Sequence, residues 1–196
     1  MCDRLLSSNR HVSLENNDPQ GRCFLLYSIY HARVNTIFLA LGSNMGNRPD
    51  NLRRALEALL PEVTIEKKSK VYESEPMYVT QQPRFYNMVV SGKTQLAPHD
   101  LLAHVKEIEK ALGRLPDTHN QPRPIDIDIL LYEDMILETP ELSIPHPRMH
   151  ERGFVMMPLE EIASFHLHPA LRRPIIDLWD DIADQSQYIW LANEQL

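Results

Sequence analysis

The apolar positions change period along the chain, and each change marks an element. Ile37 to Leu41 is a continuous apolar run that stops at Gly42, the pattern of a buried strand. Pro49 then opens a helix, because its fixed φ and missing N–H cost nothing in a first turn. Leu52, Ala55, Leu56, Leu59 and Leu60 recur at helical spacing until Pro61. Val63 to Tyr72 alternates in part and reads as a strand. Phe85 to Thr94 reads as another, beyond a Pro- and Gln-containing loop over 75–83. A second helix begins near Pro98 and buries a stripe of Leu101, Val105, Ile108 and Leu112. It ends at Gly113, a residue suited to terminating helices. After a polar loop over 115–122, Ile125-Asp126-Ile127-Asp128-Ile129 alternates strictly, as a strand with two unlike faces does. Short helices are predicted at 158–163 and 175–183.

The order β-α-β-β-α-β across 35–132 predicts an α+β, ferredoxin-like core: an antiparallel sheet with two helices on one face, plus C-terminal additions. The other face and the loops at the strand ends are left for a ligand. Residues 1–34 carry scattered polar and turn-forming residues with no sustained period. They are expected to form a weakly structured extension, leaving 35–196 as a single domain.

Composition narrows the function. With 43% hydrophobic and 24% charged residues, the 196-residue chain can build an ordinary core. A net charge of −7 opposes binding to a polyanion, so nucleic acid is not an expected partner. No apolar run approaches the roughly 18 residues of a membrane span, and Met1 to Arg10 lacks a secretory signal's apolar stretch. The two cysteines, Cys2 and Cys23, match no zinc spacing. A cytoplasmic monomer is expected.

The chemistry concentrates in the alternating strand. Asp126 and Asp128, at i and i+2, point to one face while the isoleucines point to the other. Two carboxylates this close repel unless a cation joins them, and they are the hard oxygen donors that magnesium prefers. The competing reading is an edge strand with one wet acidic face, although Asp is depleted in strands. Arg123 and Arg114 lie close in sequence and could lean over an anionic ligand, or sit in solvent as single arginines do. Glu109 falls within the apolar stripe of its helix, either at the stripe's edge or facing a site. Gly42-Ser43-Asn44-Met45-Gly46-Asn47 lacks a P-loop's Lys-Ser/Thr ending and reads as a tight turn and helix cap. Phe85 and Asn87 share one strand face, where they could meet a flat heterocycle or serve the core. His146 touches a nucleotide or caps a loop, and Phe154 is core or a second ring wall.

Together these segments closely resemble the 6-hydroxymethyl-7,8-dihydropterin pyrophosphokinase family. The matching pieces are Leu41 to Asn44, Phe85-Tyr86-Asn87, Glu109 with Gly113-Arg114, Pro122 to Asp128, Pro145-His146 and Arg152-Gly153-Phe154. They span about residues 35–165. The resemblance implies transfer of diphosphate from ATP to the pterin's hydroxymethyl group, leaving AMP. It implies two Mg²⁺ ions held by Asp126 and Asp128, with Arg114 and Arg123 stabilising the transferring group. It assigns Glu109, Ile129, Ser143 and His146 to the nucleotide. Phe85 and Phe154 would sandwich the pterin, while Asn87 and the Ser74, Glu75 and Met77 segment read its edge. The loop over 115–122 corresponds to a mobile lid of the family. Three departures stand out: Asn120 where many members have tryptophan, Glu75 in place of a proline, and no Arg or Lys between Arg114 and Arg123. Rival readings are a silent ligand-binding module, a metal-dependent nuclease or phosphohydrolase, and an interaction domain.

Overall fold

The structure, a computed structural model, describes residues 34–77, 81–116 and 121–196. All of these fall within one compact unit. The expected extension over 1–34 lies outside the described residues except for Val34, and so do Asn120 and both cysteines.

Strand β1 (Asn35–Ser43) lies inside the sheet, second from one edge. It pairs antiparallel with β4 (Phe85–Thr94) on one side and β5 (Asp126–Tyr132) on the other. Strands β2 (Val63–Lys68) and β3 (Tyr72–Ser74) both pair with β4, and β8 (Ile189–Leu191) closes that edge against β3. Helices α1 (Arg48–Ala58) and α2 (Pro98–Ala111) are buried through Leu52, Ala55 and Leu56 and through Leu101, Val105 and Ile108. Their partners in one core are Ile37, Leu39, Leu41, Met88, Val90, Ile127 and Ile129 from the sheet. A two-strand hairpin, β6 (Leu137–Glu138) and β7 (Ser143–Ile144), follows β5.

Several local expectations shift by a few residues. Helix α1 starts at Arg48, with the Asn47 side chain accepting from the Asp50 N–H at 3.1 Å. The strand expected over 63–72 is two strands. Ser69 separates them, donating its N–H to Val89 O at 2.9 Å and accepting the Val89 N–H on its hydroxyl at 3.0 Å. Gly113 adopts φ +96°, as expected of a helix stop.

The C-terminal third departs further. Helix α3 runs Gly153–Ala163 and contains Pro158, which the sequence reading had placed at its start. Pro158 has no N–H for the Phe154 carbonyl, but the helix is carried through by burial of Val155, Met156 and Leu159. Helix α4 (Ile175–Asp180) stops three residues short of expectation, and a 3₁₀ turn over Ala183–Tyr188 leads into the unanticipated β8. These elements cover part of the face expected to stay open. Met149, Val155, Met156, Leu159, Ile175 and Leu178 pack there on Phe38, Val89, Leu130 and Leu131.

Candidate active site

Beyond the first turn of α3, the second face holds a cavity of about 250 Å³. Strand alternation builds its floor. Ala40 and Gly42 from β1, Phe85 and Asn87 from β4, and Asp126 and Asp128 from β5 all line it. Gly42 sits in the middle, because a Cβ there would lie 3.4 Å from Asn87 Oδ1 and 4.0 Å from Asp126 Cβ. A larger side chain would fill the space between the two halves of the site.

One half is ionic. Arg123 donates from one guanidinium nitrogen to Asp126 Oδ2 at 2.7 Å, and Arg114 pairs with Asp126 Oδ1. Burial alone would raise the Asp126 carboxyl, but the Arg123 and Arg114 guanidiniums outweigh it and hold the group below the usual carboxylate range. Asp128 goes the other way. Burial pushes its carboxyl up and the Asp126 charge adds to that, against His146, Lys106 and Arg152. It is an acidic group short of positive charge. Across from it, burial lowers the His146 imidazole despite the nearby Asp128. His146 Nδ1 accepts the Arg148 N–H at 3.3 Å, which leaves the ring proton on Nε2.

Glu109 lies beneath this half and does not line the cavity. It is 2% exposed and accepts from Arg114 at 2.7 Å, from the Ile127 N–H at 2.7 Å and from Lys106 at 3.0 Å. Neither sequence alternative described it: it fixes Arg114 and the β5 backbone from behind. Ile129 and Ser143 are not brought to the cavity either. Ile129 alternates with Asp128 and so faces the α1–α2 core, and Ser143 pairs with Glu138 in the hairpin.

The other half is suited to a flat ring with polar edges. Phe85 and Phe154 line it with Ser74, Glu75, Met77 and Asn87. Asn87 donates from Nδ2 to Ser74 Oγ at 2.9 Å, so its amide orientation is fixed before any ligand arrives. Arg123 spans both halves, its guanidinium carbon 5.2 Å from the Phe85 ring centre.

Sequence reasoning gave no site role to four residues here. Arg148, Arg152 and Gln82 line the cavity. Asn44, which was read as part of a plain turn, is 1% exposed and ties three segments together. Its Oδ1 accepts the Arg123 N–H at 2.8 Å, and its Nδ2 donates to Gln82 Oε1 at 3.2 Å and Pro83 O at 3.3 Å. Only its place between strand and helix hinted at this.

The donor set suits magnesium that is shared with a substrate. Among the described residues no group of three or more His, Cys, Asp or Glu forms a protein cage. Mg²⁺ typically takes one or two carboxylates and completes its shell from phosphates and water, and Asp126 and Asp128 supply that number.

Comparison with known proteins accords with this geometry. The family model described as 7,8-dihydro-6-hydroxymethylpterin-pyrophosphokinase (HPPK) matches residues 38–164. The chain is 43% identical over 140 residues to the 2-amino-4-hydroxy-6-hydroxymethyldihydropteridine pyrophosphokinase of Aquifex aeolicus, covering 71% of this chain and 88% of that protein. It is 46% identical over 133 residues to the protein of the same name from Bacillus subtilis, covering 66% and 79%. Folic acid synthesis protein FOL1 of Dictyostelium discoideum is 44% identical over 141 residues, 72% of this chain but 22% of that much longer protein. Among solved structures, Plasmodium falciparum HPPK-DHPS with pteroate superposes with a TM-score of 0.65 at 17% identity, over 79% of this chain and 43% of that one. At that identity the likeness speaks to the fold. No helix among the described residues is long and apolar enough to cross a membrane.

Proposed function

The chain belongs to the 7,8-dihydro-6-hydroxymethylpterin-pyrophosphokinase family, and we propose that it moves the diphosphate of ATP onto the hydroxymethyl group of 6-hydroxymethyl-7,8-dihydropterin in folate synthesis. The observation that carries the reading is the pairing of the two halves of one cavity. The Arg114–Asp126–Arg123 cluster with Asp128 handles phosphate, and a ring slot with a fixed amide lies beside it.

In the reaction, the pterin hydroxyl oxygen attacks the β-phosphorus of ATP. The bond between that phosphorus and the α,β-bridging oxygen breaks, AMP leaves with the oxygen, and the hydroxyl proton passes to water. Little covalent work falls to the protein, so positioning and charge supply the rate. Phe85 and Phe154 hold the ring, and Asn87 and Ser74 present polar atoms to its edge. Glu75 and Met77 border the same slot. Arg114 and Arg123 hold Asp126 in the free enzyme, and they exchange onto phosphate oxygens as the nucleotide enters. Glu109 keeps Arg114 aimed throughout. His146, neutral at pH 7, donates from Nε2 towards the nucleotide side. Asp126 and Asp128 would hold two Mg²⁺ ions, which would supply positive charge to offset that of the triphosphate. No side chain is assigned as a base.

The enzyme is proposed to act as a monomer, which size-exclusion chromatography with light scattering tests. A cytoplasmic location is proposed with it. Relatives from Arabidopsis thaliana and Pisum sativum are named mitochondrial, so subcellular fractionation decides the point. The function is tested by AMP release from ATP and Mg²⁺ with and without the pterin. AMP formed in proportion to pterin supports the reading. Release of phosphate instead, or binding without turnover, overturns it.

A further inference from the structure

Resting on that function, we infer that Arg84, which lies outside the cavity, is a positioning residue for pterin binding through a clamp of Glu75, Arg84 and Trp190. Ser74 and Phe85 are the last paired residues of β3 and β4, so Glu75 and Arg84 form the neck of the loop between them. The Arg84 guanidinium closes this neck. Its Nε and one terminal nitrogen both donate to Glu75 Oε1, at 2.9 and 2.6 Å. The same guanidinium lies 4.7 Å over the Trp190 ring in β8, and Trp190 is paired across from Glu73. Arg84 is held from its backbone too. Its carbonyl accepts from Arg48 at 2.8 Å, and Arg48 pairs with Glu73 at 2.8 Å and stacks 3.8 Å over Tyr86.

Glu75 lines the cavity beside Ser74, as do Met77 and Gln82 from the loop. Fixing the neck therefore fixes the wall that borders the pterin slot. Glu75 and Arg84 are each about half exposed, and an ion pair of that kind contributes little alone. Stacking on the indole adds attraction and leaves the fork one orientation. Without the clamp, the wall residues must be ordered when pterin binds, and that cost appears as weaker binding. The ionic half, on β5 with Arg114 and Arg123, is untouched. The clamp also gives β8 a role at the site that its position at the sheet's edge did not suggest.

The test is a split between the two substrates. Arg84→Met keeps the aliphatic stem and loses the fork. It should raise the KM for pterin, and the Kd for pterin by calorimetry, about five- to tenfold. The KM for ATP and kcat at saturation should stay within about twofold by the same reasoning. Trp190→Leu should shift the pterin constants the same way and add little on top of Arg84→Met, whereas Trp190→Phe, which keeps a ring face, should stay near wild type. An equal rise in both KM values, or an unchanged pterin Kd, overturns the clamp. If the wild-type protein binds pterin but releases no AMP, the functional reading fails while the clamp still stands or falls on the calorimetric ratio. If it binds no pterin, both fail.

Discussion

Leu39, Leu41, Met88, Val90, Ile127 and Ile129 point from the sheet to α1 and α2, and each is at most 4% exposed. Their neighbours on the same three strands, Ala40, Gly42, Asn87, Val89, Asp126 and Asp128, point the opposite way. That second face is graded. At one end Phe38, Val89, Leu130 and Leu131 meet α3 and α4, and at the other Gly42, Asn87 and the aspartates line the cavity. The contrast shows how alternation divides labour along a strand. One set of positions supplies cohesion, and the interleaved set can carry charge because its neighbours already hold the strand in place.

Breaking the charged end gives the largest expected effect. Asp126→Ala or Asp128→Ala should lower kcat by about 10³-fold or more, as loss of a preorganised charge site does. The thermal midpoint should stay nearly unchanged for Asp128→Ala and fall without loss of the fold for Asp126→Ala, which strips Arg114 and Arg123 of a partner. Steady-state AMP release and a circular dichroism melt check this together. Loss of the fold in either variant would assign the pair a structural role. Leu101→Ala, on the dry face, should do the reverse. Leu101 is 0% exposed, and emptying such a site costs about 2–5 kcal/mol, readable in urea unfolding, with kcat/KM unchanged in the folded fraction. Phe85→Ala falls between them. It should raise the KM for pterin about 10- to 100-fold through lost stacking while leaving the KM for ATP nearly constant.

The two faces were unequally legible from the sequence. The dry face announced itself, since the stripes Leu52–Ala55–Leu56 and Leu101–Val105–Ile108 and the isoleucines of β5 follow fixed periods. The ionic half of the site was readable for a related reason. Arg114, Arg123, Asp126 and Asp128 lie within 15 residues, and Arg123 bonds Asp126 three positions on. The wall of the ring slot was harder, because Ser74, Phe154 and Trp190 are joined only by folding. A three-residue strand such as β8 carries no period to detect. Glu109 broke its helix's apolar stripe visibly, but its partners, Arg114 and the Ile127 amide, could be named only once α2 lay against β5. The start of α3 was misplaced because Pro158 suggests a first turn, and tertiary burial overrode that preference.

The apolar end of the second face offers a smaller, pH-dependent test of its difference from the first. The turn between α3 and α4 is organised around His168, which is 3% exposed. Its backbone N–H donates to Arg173 O at 2.9 Å, and its ring Nδ1 accepts the Leu171 N–H at 3.2 Å. The His150 ring meets it edge-on at 5.9 Å. Burial, then the charge His150 can carry, lower the His168 pKa from 6.5 to about 4. The folded state therefore refuses a proton that the unfolded chain accepts. Stability is intact above pH 6.5 and is lost as pH falls from there towards 4, amounting to about 1–2 kcal/mol by pH 5. His168→Asn keeps an oxygen able to accept the Leu171 N–H but cannot titrate, so its unfolding free energy should change less between pH 7 and pH 5. Urea titrations of both proteins at the two pH values measure the difference. A slope in the variant as steep as the wild type's would place the acid sensitivity elsewhere, first at His166 in the same turn, whose imidazole burial also lowers.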